Sequence, residues 1–248
     1  MIETRSRTFA DLVGFDASRL GKALDETHGT TVLSIRYKEG VLTVADRRAT
    51  AGNLIMFDHA EKVFALDDNT VIAISGAFAR SVEVCRFLRH SFQYYRRMTL
   101  NDLSLEGKLQ EISRALAGNA AAAMQGIGIF IPIVAAYDRA ADKFGVYFFD
   151  GAGASFQNGD YACAGSGSER IRGIFEYVAR VKGPWESRSR EDVLDEAVQM
   201  LDIAADLDSA TGGFKKALPV VRVLDRDGNR SLPDEEIRNA LKKLRAGH

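Results

Sequence analysis

Residues 30–45 read TTVLSIRYKEGVLTVA, and this stretch decides the class of fold. Apolar and β-branched residues alternate with other residues over 30–37 and again over 41–45, which is the two-residue period of a strand. Lys38-Glu39-Gly40 lies between the two runs and supplies a turn. The stretch therefore predicts a β-hairpin that begins abruptly at Thr30.

The rest of the chain alternates between groups of strands and pairs of helices. Strands are predicted at 62–66, 70–75, 128–137, 144–149, 161–164 and 218–224, and amphipathic helices at 78–95, 105–116, 171–178 and 194–205. Each sheet needs a helical or sheet layer over its apolar face. We therefore predict one α+β domain, a four-layer αββα sandwich with two central sheets, followed by a charged, exposed tail helix over 234–248.

Composition excludes several classes of function. The 248 residues are 46% apolar, with 33 basic and 34 acidic residues, so no overall field attracts nucleic acid or an anionic membrane. The longest apolar run, 126–137, is shorter than the roughly 20 residues of a membrane span. Cys85 and Cys163 form neither a disulfide framework nor a metal motif. We expect a cytoplasmic protein without cofactor or metal, and we expect both thiols to be buried.

Residues 1–29 differ from the rest of the chain. They mix many charges with scattered apolar residues and lack the apolar region of a signal peptide. Only a short piece around Phe9 has helical spacing. We interpret 1–29 as a weakly structured leader, an appendage to the domain over 30–248.

Gly29-Thr30-Thr31, at the boundary, is the candidate site of chemistry. The four histidines are not placed with a serine or cysteine in a nucleophile motif. A threonine hydroxyl is a poor nucleophile, but as the first residue it can use its own α-amine, with a pKa of about 7.7 to 8.0, as the base. This requires cleavage after Gly29. Alone, Gly-Thr-Thr at a strand start is an ordinary sequence.

Five motifs, which follow one another along the chain, indicate why the boundary at Thr30 matters. They are Thr30–Val32, Val44–Asn53 (VADRRATAGN), Lys62-Val63 with Ser75-Gly76, Gly165–Ser168 (GSGS) and Asp208–Gly213 (DSATGG). In this order and spacing the chain resembles the proteasome β-subunit family from Thr30 to about Asp227. The block 118–126 (GNAAAAMQG) and a leader that ends His28-Gly29 resemble the actinobacterial type of 20S proteasome. The resemblance implies an N-terminal-nucleophile hydrolase fold and a threonine endopeptidase. Residues 1–29 would be a cleavable propeptide that the enzyme removes itself, and 30–248 the catalytic domain.

The resemblance also implies a role for each matching residue. Thr30 would be the nucleophile and, through its new amino terminus, the base. The charge of Lys62 would favour the deprotonated amine and hydroxyl, and Asp46 would pair with Lys62 and orient it. The residues that would position the amino terminus are Ser166, Asp208 and Thr211, the last of which stands where many relatives have serine.

Substrate binding is implied in the same way. The Gly76 N–H would donate to the oxyanion, and Thr50 and Gly76 would hold the substrate as an added strand. The specificity pocket would be lined by Ala49, Ala60, Phe64, Ile74 and Phe78. These residues are apolar, so we expect cleavage after hydrophobic residues, with Phe78 narrowing the pocket.

The resemblance implies partners that no single residue indicates. These are proteasome α subunits and other β subunits in stacked heptameric rings, a regulatory ATPase ring, a small protein tag, and unfolded protein substrates. The alternative from another class is a non-catalytic scaffold subunit of such a chamber. A simpler two-ring ATP-dependent threonine protease and other N-terminal-nucleophile amidohydrolases also stay open.

Overall fold

The structure, a computed structural model, describes residues 29–124 and 126–246. The predicted propeptide, including the piece around Phe9, therefore lies outside the described residues except for Gly29. Gln125, within the block that resembles the actinobacterial type, also lies outside them.

Twelve strands form two five-stranded sheets and one separate hairpin in the described part of the chain. They are β1 (Thr31–Tyr37), β2 (Gly40–Ala45), β3 (Ala49–Ala51), β4 (Leu54–Phe57), β5 (Val63–Asp67), β6 (Thr70–Ala73), β7 (Ile133–Asp138), β8 (Lys143–Phe149), β9 (Ser155–Asn158), β10 (Tyr161–Gly165), β11 (Val220–Asp225) and β12 (Gly228–Ser231). Sheet I has the order β10-β1-β2-β11-β12 and sheet II the order β5-β6-β7-β8-β9. All neighbouring strands are antiparallel, and the predicted β1–β2 hairpin is confirmed.

Helices cover the outer faces of both sheets. They are α1 (Phe78–Thr99), α2 (Leu105–Ala117), the single turn α3 (Ala120–Ala123), α4 (Ser168–Lys182), α5 (Arg190–Leu207) and α6 (Asp234–Ala246), with a 3₁₀ turn at Trp185–Ser187. The side chains of Ser104 and Ser189 accept bonds from the backbone N–H groups of Gly107 and Asp192. These caps satisfy N–H groups that the first turns of α2 and α5 leave unpaired.

Three apolar clusters correspond to the three contacts between four layers. The first packs Leu33 and Ile35 of sheet I against α4, α5 and α6. The second packs sheet II against α1 and α2. The third, which includes Val32, lies between the sheets. Neighbouring residues of β1 thus point to opposite layers, as strand geometry requires, and the predicted αββα arrangement is confirmed.

Four short strands, β3, β4, β9 and β12, were not predicted, and β7 is shorter than predicted. β4 is a continuous apolar run, Leu54–Phe57, that is exposed along its length, so it lacks the alternation of a half-buried strand. β7 begins at Ile133 rather than at Gly128 because Pro132, which has no N–H to donate, precedes it.

The prediction of an exposed tail helix was wrong in one respect. One face of α6 carries Ile237, Ala240 and Leu241, which are all buried in the cluster under sheet I. Charged residues on the other face dominate the composition of α6, so the apolar stripe was not recognised in the sequence. The tail helix is therefore part of the core.

Exposure of the thiols agrees with the expectation for one cysteine only. Cys85 is buried in the cluster beneath α1, whereas Cys163 on β10 is half-buried. Among the described helices, none combines the length and the apolar character that a membrane crossing requires.

Candidate active site

Thr30 lies at the entrance of β1, where the chain passes into sheet I. Its carbonyl oxygen accepts the N–H of Ser166 at 3.0 Å. Gly165 makes this approach possible because it has a φ of 96°, and a Cβ there would lie 2.0 Å from the Thr30 carbonyl oxygen. The side chain of Thr30 is buried.

The bond between Gly29 and Thr30 lies among groups that can act on it. The Thr30 hydroxyl donates to the Gly29 carbonyl oxygen at 2.5 Å, and the Lys62 ammonium donates to the same oxygen at 3.0 Å. A Cβ on Gly29 would lie 2.3 Å from the Thr50 hydroxyl oxygen and 2.8 Å from the Ala210 carbonyl oxygen. The site has room for glycine alone before Thr30.

Lys62 is completely buried and uses all three of its N–H donors. Its Nζ atom lies 2.7 Å from Asp46 Oδ1 and 2.5 Å from the Arg48 carbonyl oxygen, in addition to Gly29. Burial lowers the pKa of Lys62, and the charge of Asp46 opposes that effect. Deprotonation of Lys62 to the neutral amine therefore costs less free energy here than for a lysine in water.

Asp46, at the end of β2, accepts four hydrogen bonds. Its Oδ1 atom accepts from Lys62 and from the Thr31 N–H at 2.8 Å. Its Oδ2 atom accepts from the N–H groups of Arg48 and Gly212, each at 2.8 Å. Because all four partners are donors, the site requires an ionised carboxylate.

A second carboxylate, Asp208, lies at the end of α5 and accepts hydrogen bonds from two hydroxyl groups. Ser166 Oγ and Thr211 Oγ1 each donate to Asp208 Oδ2 at 2.6 Å. The Thr211 N–H bonds back to the Asp208 carbonyl oxygen at 3.1 Å, which closes a tight turn. The three residues predicted to position the amino terminus thus form one hydrogen-bonded group beside Thr30.

Gly76 follows β6 in a conformation that other residues rarely adopt. Its φ is 98°, and a Cβ would lie 2.2 Å from the Ile129 carbonyl oxygen. The bridge to Phe130 uses the Ser75 carbonyl and the Ala77 N–H, not the Gly76 N–H. Gly76 and Ser166 line the same cleft, whose volume is about 1260 Å³.

The predicted pocket residues fall into two groups. Ile74 belongs to the buried cluster beneath α1, and Phe64 and Phe78 pack against it. Ala49 is buried at the start of β3, and the buried Ala60 donates its N–H to the Arg47 carbonyl oxygen at 2.9 Å. The three larger side chains therefore share one apolar region on the sheet II side of the site.

Sequence reasoning missed the structural part of Arg48. Its carbonyl oxygen contacts Lys62, and its guanidinium donates to the carbonyl oxygens of Ser209 and Thr211 at 3.0 and 3.3 Å. Arg48 thereby ties the turn after α5 to the end of β2. The motif around Asp46 was the available signal, but it gave no role for this residue.

The geometry supports hydrolytic chemistry at one peptide bond. A hydroxyl and a buried amine of lowered pKa contact the Gly29 carbonyl oxygen, and a carboxylate pairs with that amine. The hydroxyl of Ser166 contacts the Thr30 carbonyl oxygen and donates to a second carboxylate. Within the described residues, the site comprises groups that can donate, accept and move protons.

The fold is that of the N-terminal-nucleophile hydrolases, with a threonine at the entrance of the first strand. The chain belongs to the proteasome subunit family, whose model, described as "Proteasome subunit", matches residues 26–217.

Curated relatives from actinobacteria cover most of the chain. It is 33% identical over 241 residues to "Proteasome subunit beta 2" of Thermomonospora curvata, an alignment covering 95% of this chain and 84% of that protein. It is 35% identical over 217 residues to "Proteasome subunit beta" of Streptomyces griseus, covering 86% of this chain and 75% of the relative. The corresponding protein of Streptosporangium roseum is 34% identical over 243 residues, covering 93% and 84%.

Proposed function

We propose that this chain is the catalytic β subunit of a bacterial proteasome core, a threonine endopeptidase whose nucleophile is Thr30 after removal of residues 1–29. One observation carries the proposal. The carbonyl of Gly29, immediately before Thr30, receives both the Thr30 hydroxyl and the buried ammonium of Lys62. A scaffold subunit has no use for this arrangement at a bond that it does not cut.

The names of the relatives support the same class of subunit. The proteins from Thermomonospora curvata and Streptomyces griseus are both proteasome β subunits, and neither alignment is confined to a fragment. The catalytic group Thr30, Asp46 and Lys62 is present together in this chain, which favours an active subunit over a silent one.

Maturation is proposed to begin at the intact peptide bond. The Thr30 oxygen adds to the Gly29 carbonyl carbon, the carbon–nitrogen bond breaks, and the released nitrogen takes a proton to become the free amine. Water then hydrolyses the resulting ester, which leaves a carboxylate on Gly29 and restores the hydroxyl. Before the cut the Thr30 nitrogen is an amide and cannot act as a base, so the candidate proton acceptor is the neutral amine of Lys62, which the ammonium forms by first losing a proton and which the lowered pKa makes more accessible.

Turnover of substrate is proposed to use the new α-amine. The amine accepts the hydroxyl proton as the oxygen attacks the substrate carbonyl, and the proton passes to the leaving amine. Water then hydrolyses the acyl-enzyme ester. The Lys62 charge favours the deprotonated amine, while Asp208, Ser166 and Thr211 hold the amine in place. The Gly76 N–H is proposed to donate to the oxyanion.

Substrate preference follows from the apolar region beside the site. We propose that Ala49, Ala60, Phe64, Ile74 and Phe78 line the pocket for the residue before the cleaved bond, and that Thr50 and Gly76 bind the substrate main chain. Hydrophobic residues should therefore be preferred at that position. A fluorogenic peptide panel tests this, and a preference for acidic or basic residues would contradict it.

Ring assembly is the proposed setting for this chemistry. The large side chains of Leu54, Met56 and Phe57 are 64%, 58% and 54% exposed in the described chain, which is typical of a surface that another protein covers. The proposed partners are α subunits, other β subunits in stacked heptameric rings, and an ATPase ring that delivers tagged, unfolded proteins, all in the cytoplasm.

Intact mass and active-site labelling test the function together. Coexpression with the α subunit should give a chain that begins at Thr30, and a peptide epoxyketone, which requires a hydroxyl and a free α-amine on one residue, should label that residue. Thr30→Ala should remain uncut and inactive, whereas Thr30→Ser should retain part of the activity. An uncut wild-type chain without peptidase activity in the assembled particle would support the scaffold function instead.

A further inference from the structure

Thr31 has a hydroxyl that the proposed chemistry does not use. Its side chain is completely buried, on the second residue of the proposed mature chain. The Thr31 Oγ1 atom lies 2.6 Å from Thr211 Oγ1 and accepts the N–H of Gly167 at 3.1 Å. The Thr31 hydroxyl therefore contacts Thr211, one of the two residues whose hydroxyl groups donate to Asp208.

The direction of each proton in this group can be worked out. A carboxylate only accepts, so the Thr211 hydroxyl proton points to Asp208 Oδ2, 2.6 Å away. Thr211 has no second proton, so in the contact between the two threonines it is Thr31 that donates. The Gly167 N–H, Thr31, Thr211 and Asp208 thus form a chain of hydrogen bonds with a single direction.

The surrounding backbone leaves this chain little freedom to rearrange. A Cβ on Gly167 would lie 2.4 Å from Thr31 Oγ1 and 2.7 Å from Thr211 Oγ1. The close approach of the two hydroxyls to the backbone therefore depends on glycine at this position. Both threonine side chains are buried, which limits competition from water.

Thr31 also connects the two carboxylates of the site. Its N–H donates to Asp46 Oδ1 at 2.8 Å, the same oxygen that holds Lys62. Its hydroxyl leads through Thr211 to Asp208. The residue after Thr30 is thus linked to both carboxylates, directly to Asp46 and through Thr211 to Asp208.

We propose that Thr31 is a positioning residue, whose hydroxyl orients Thr211 and Asp208 toward the α-amine that the cut at Thr30 releases. This inference rests on the proposed function and extends it to a residue that does not touch the substrate. Removal of the hydroxyl leaves the Thr211 oxygen without its donor, so the hydrogen bond from Thr211 to Asp208 loses its cooperative support and the Thr211 side chain is held less firmly. The catalytic step should slow while substrate binding is retained.

The test compares two isosteric substitutions in the full chain, assembled with its partner subunits. Thr31→Val removes the hydroxyl and keeps the shape of the side chain. Thr43→Val is the matched control, because the Thr43 hydroxyl is also buried on sheet I and bonds another hydroxyl, that of Ser34, at 2.9 Å. Turnover of a peptide substrate is divided by the fraction of chains that mass spectrometry shows to begin at Thr30.

We expect kcat of Thr31→Val to fall about tenfold with KM within about twofold, as for a lost orienting hydrogen bond. Thr31→Ser should restore most of kcat, and Thr43→Val should match the wild type. Thr31→Ser and Thr31→Ala form a second pair that differs only in the hydroxyl. The proposal is overturned if kcat of Thr31→Val equals that of Thr43→Val, or if Thr31→Ser and Thr31→Ala have equal kcat. A change in KM alone overturns it as well.

Failure of maturation is also decisive. A Thr31→Val chain that melts like Thr43→Val but stays uncut assigns the hydroxyl to maturation and overturns the proposed role, because that role acts on the α-amine that only the cut releases. A chain that melts far below Thr43→Val assigns Thr31 to the fold and overturns the role. An inactive wild type counts against the proposed function itself, whereas an active wild type with an unaffected Thr31→Val counts against this inference alone.

Discussion

The side-chain nitrogen of Lys62 lies 3.0 Å from the carbonyl oxygen of Gly29, so a buried lysine contacts the bond that the proposed maturation breaks. Asp46 holds the same nitrogen at 2.7 Å. These groups are in contact while Gly29 is still joined to Thr30. Assembly of the Lys62 side of the site thus precedes the cut.

Replacement of Asp46 by asparagine should disable this part of the site. Asparagine places an NH₂ group among four donors and leaves Lys62 buried without its counter-charge. Loss of one partner of a buried ion pair costs about 3–5 kcal/mol, and the pKa of Lys62 should fall further. Denaturant unfolding should show the loss, and intact mass should show an uncut chain.

The matched control for this change is Asp142→Asn. Asp142 pairs with Arg226 at 2.8 Å, but both side chains are largely exposed, so water replaces the lost contact. Unfolding and maturation should resemble those of the wild type. Equal stability of the Asp46 and Asp142 variants would contradict the role given to the buried pair.

Substitution of Gly29 by alanine should block maturation. The added Cβ would lie 2.3 Å from the Thr50 hydroxyl oxygen, so the Gly29 carbonyl must move away from Lys62 and Thr30. A displacement of this kind is expected to slow the cut on the order of 100-fold. The rate at which the mature chain appears on a gel measures the effect.

Gly173→Ala is the control for the glycine change. Gly173 is an exposed residue of α4, and apart from its chain neighbours and the backbone of its own helix no described heavy atom lies within 4 Å of the position of a Cβ. Alanine also favours a helix, so this variant should mature normally. Wild-type maturation of Gly29→Ala would show that space before Thr30 does not limit the cut.

The native protein should lack a fast-reacting thiol at pH 8. Burial raises the pKa of Cys85 to about 12 and that of Cys163 to about 11. The reactive thiolate is then roughly one part in a thousand or less. A chromogenic disulfide should react slowly with the folded chain and with two thiols after unfolding.

Raising the pH supplies the check on that expectation. Cys163 should react first, because its side chain is half-buried and its pKa is the lower of the two. Mass spectrometry of peptides locates the label. Rapid labelling of either residue at pH 8 in the folded protein would contradict the raised pKa values.

The burial of α6 predicts a stability effect at the end of the chain. Leu241→Ala should reduce the free energy of unfolding by about 2–4 kcal/mol, because it removes a buried side chain from the cluster under sheet I. Lys242→Ala, at the exposed neighbouring residue, should change it little. Equal unfolding midpoints for the two variants would show that the helix contributes little to the core.

Elements with a regular apolar period were predictable from the sequence. Leu33 and Ile35 alternate with polar or oppositely facing residues, and the same period defines the β1–β2 hairpin. β4 and the tail helix were not read correctly, because exposed apolar residues and a highly charged face override the simple rule that apolar residues lie inside.

The site was predictable only through the order of its motifs. Thr31 and Thr211 are 180 residues apart and meet through their hydroxyl groups, and no local pattern encodes that contact. The motifs did indicate Ser166, Asp208 and Thr211 as a group. They gave no geometry for Arg48, Gly212 or the Thr31 hydroxyl, whose contacts depend on the turn after α5.

The cluster between the sheets acts as a spacer. It contains mainly small side chains, among them those of Ala45, Ala73 and Ala135, so the two sheets approach closely. Thr30 and Asp46 lie directly before β1 and directly after β2 of sheet I, whereas Lys62 lies directly before β5 at the edge of sheet II. A bulkier residue between the sheets would widen the gap across which Thr30 and Lys62 meet, so these alanines help to set the distance between the two residues.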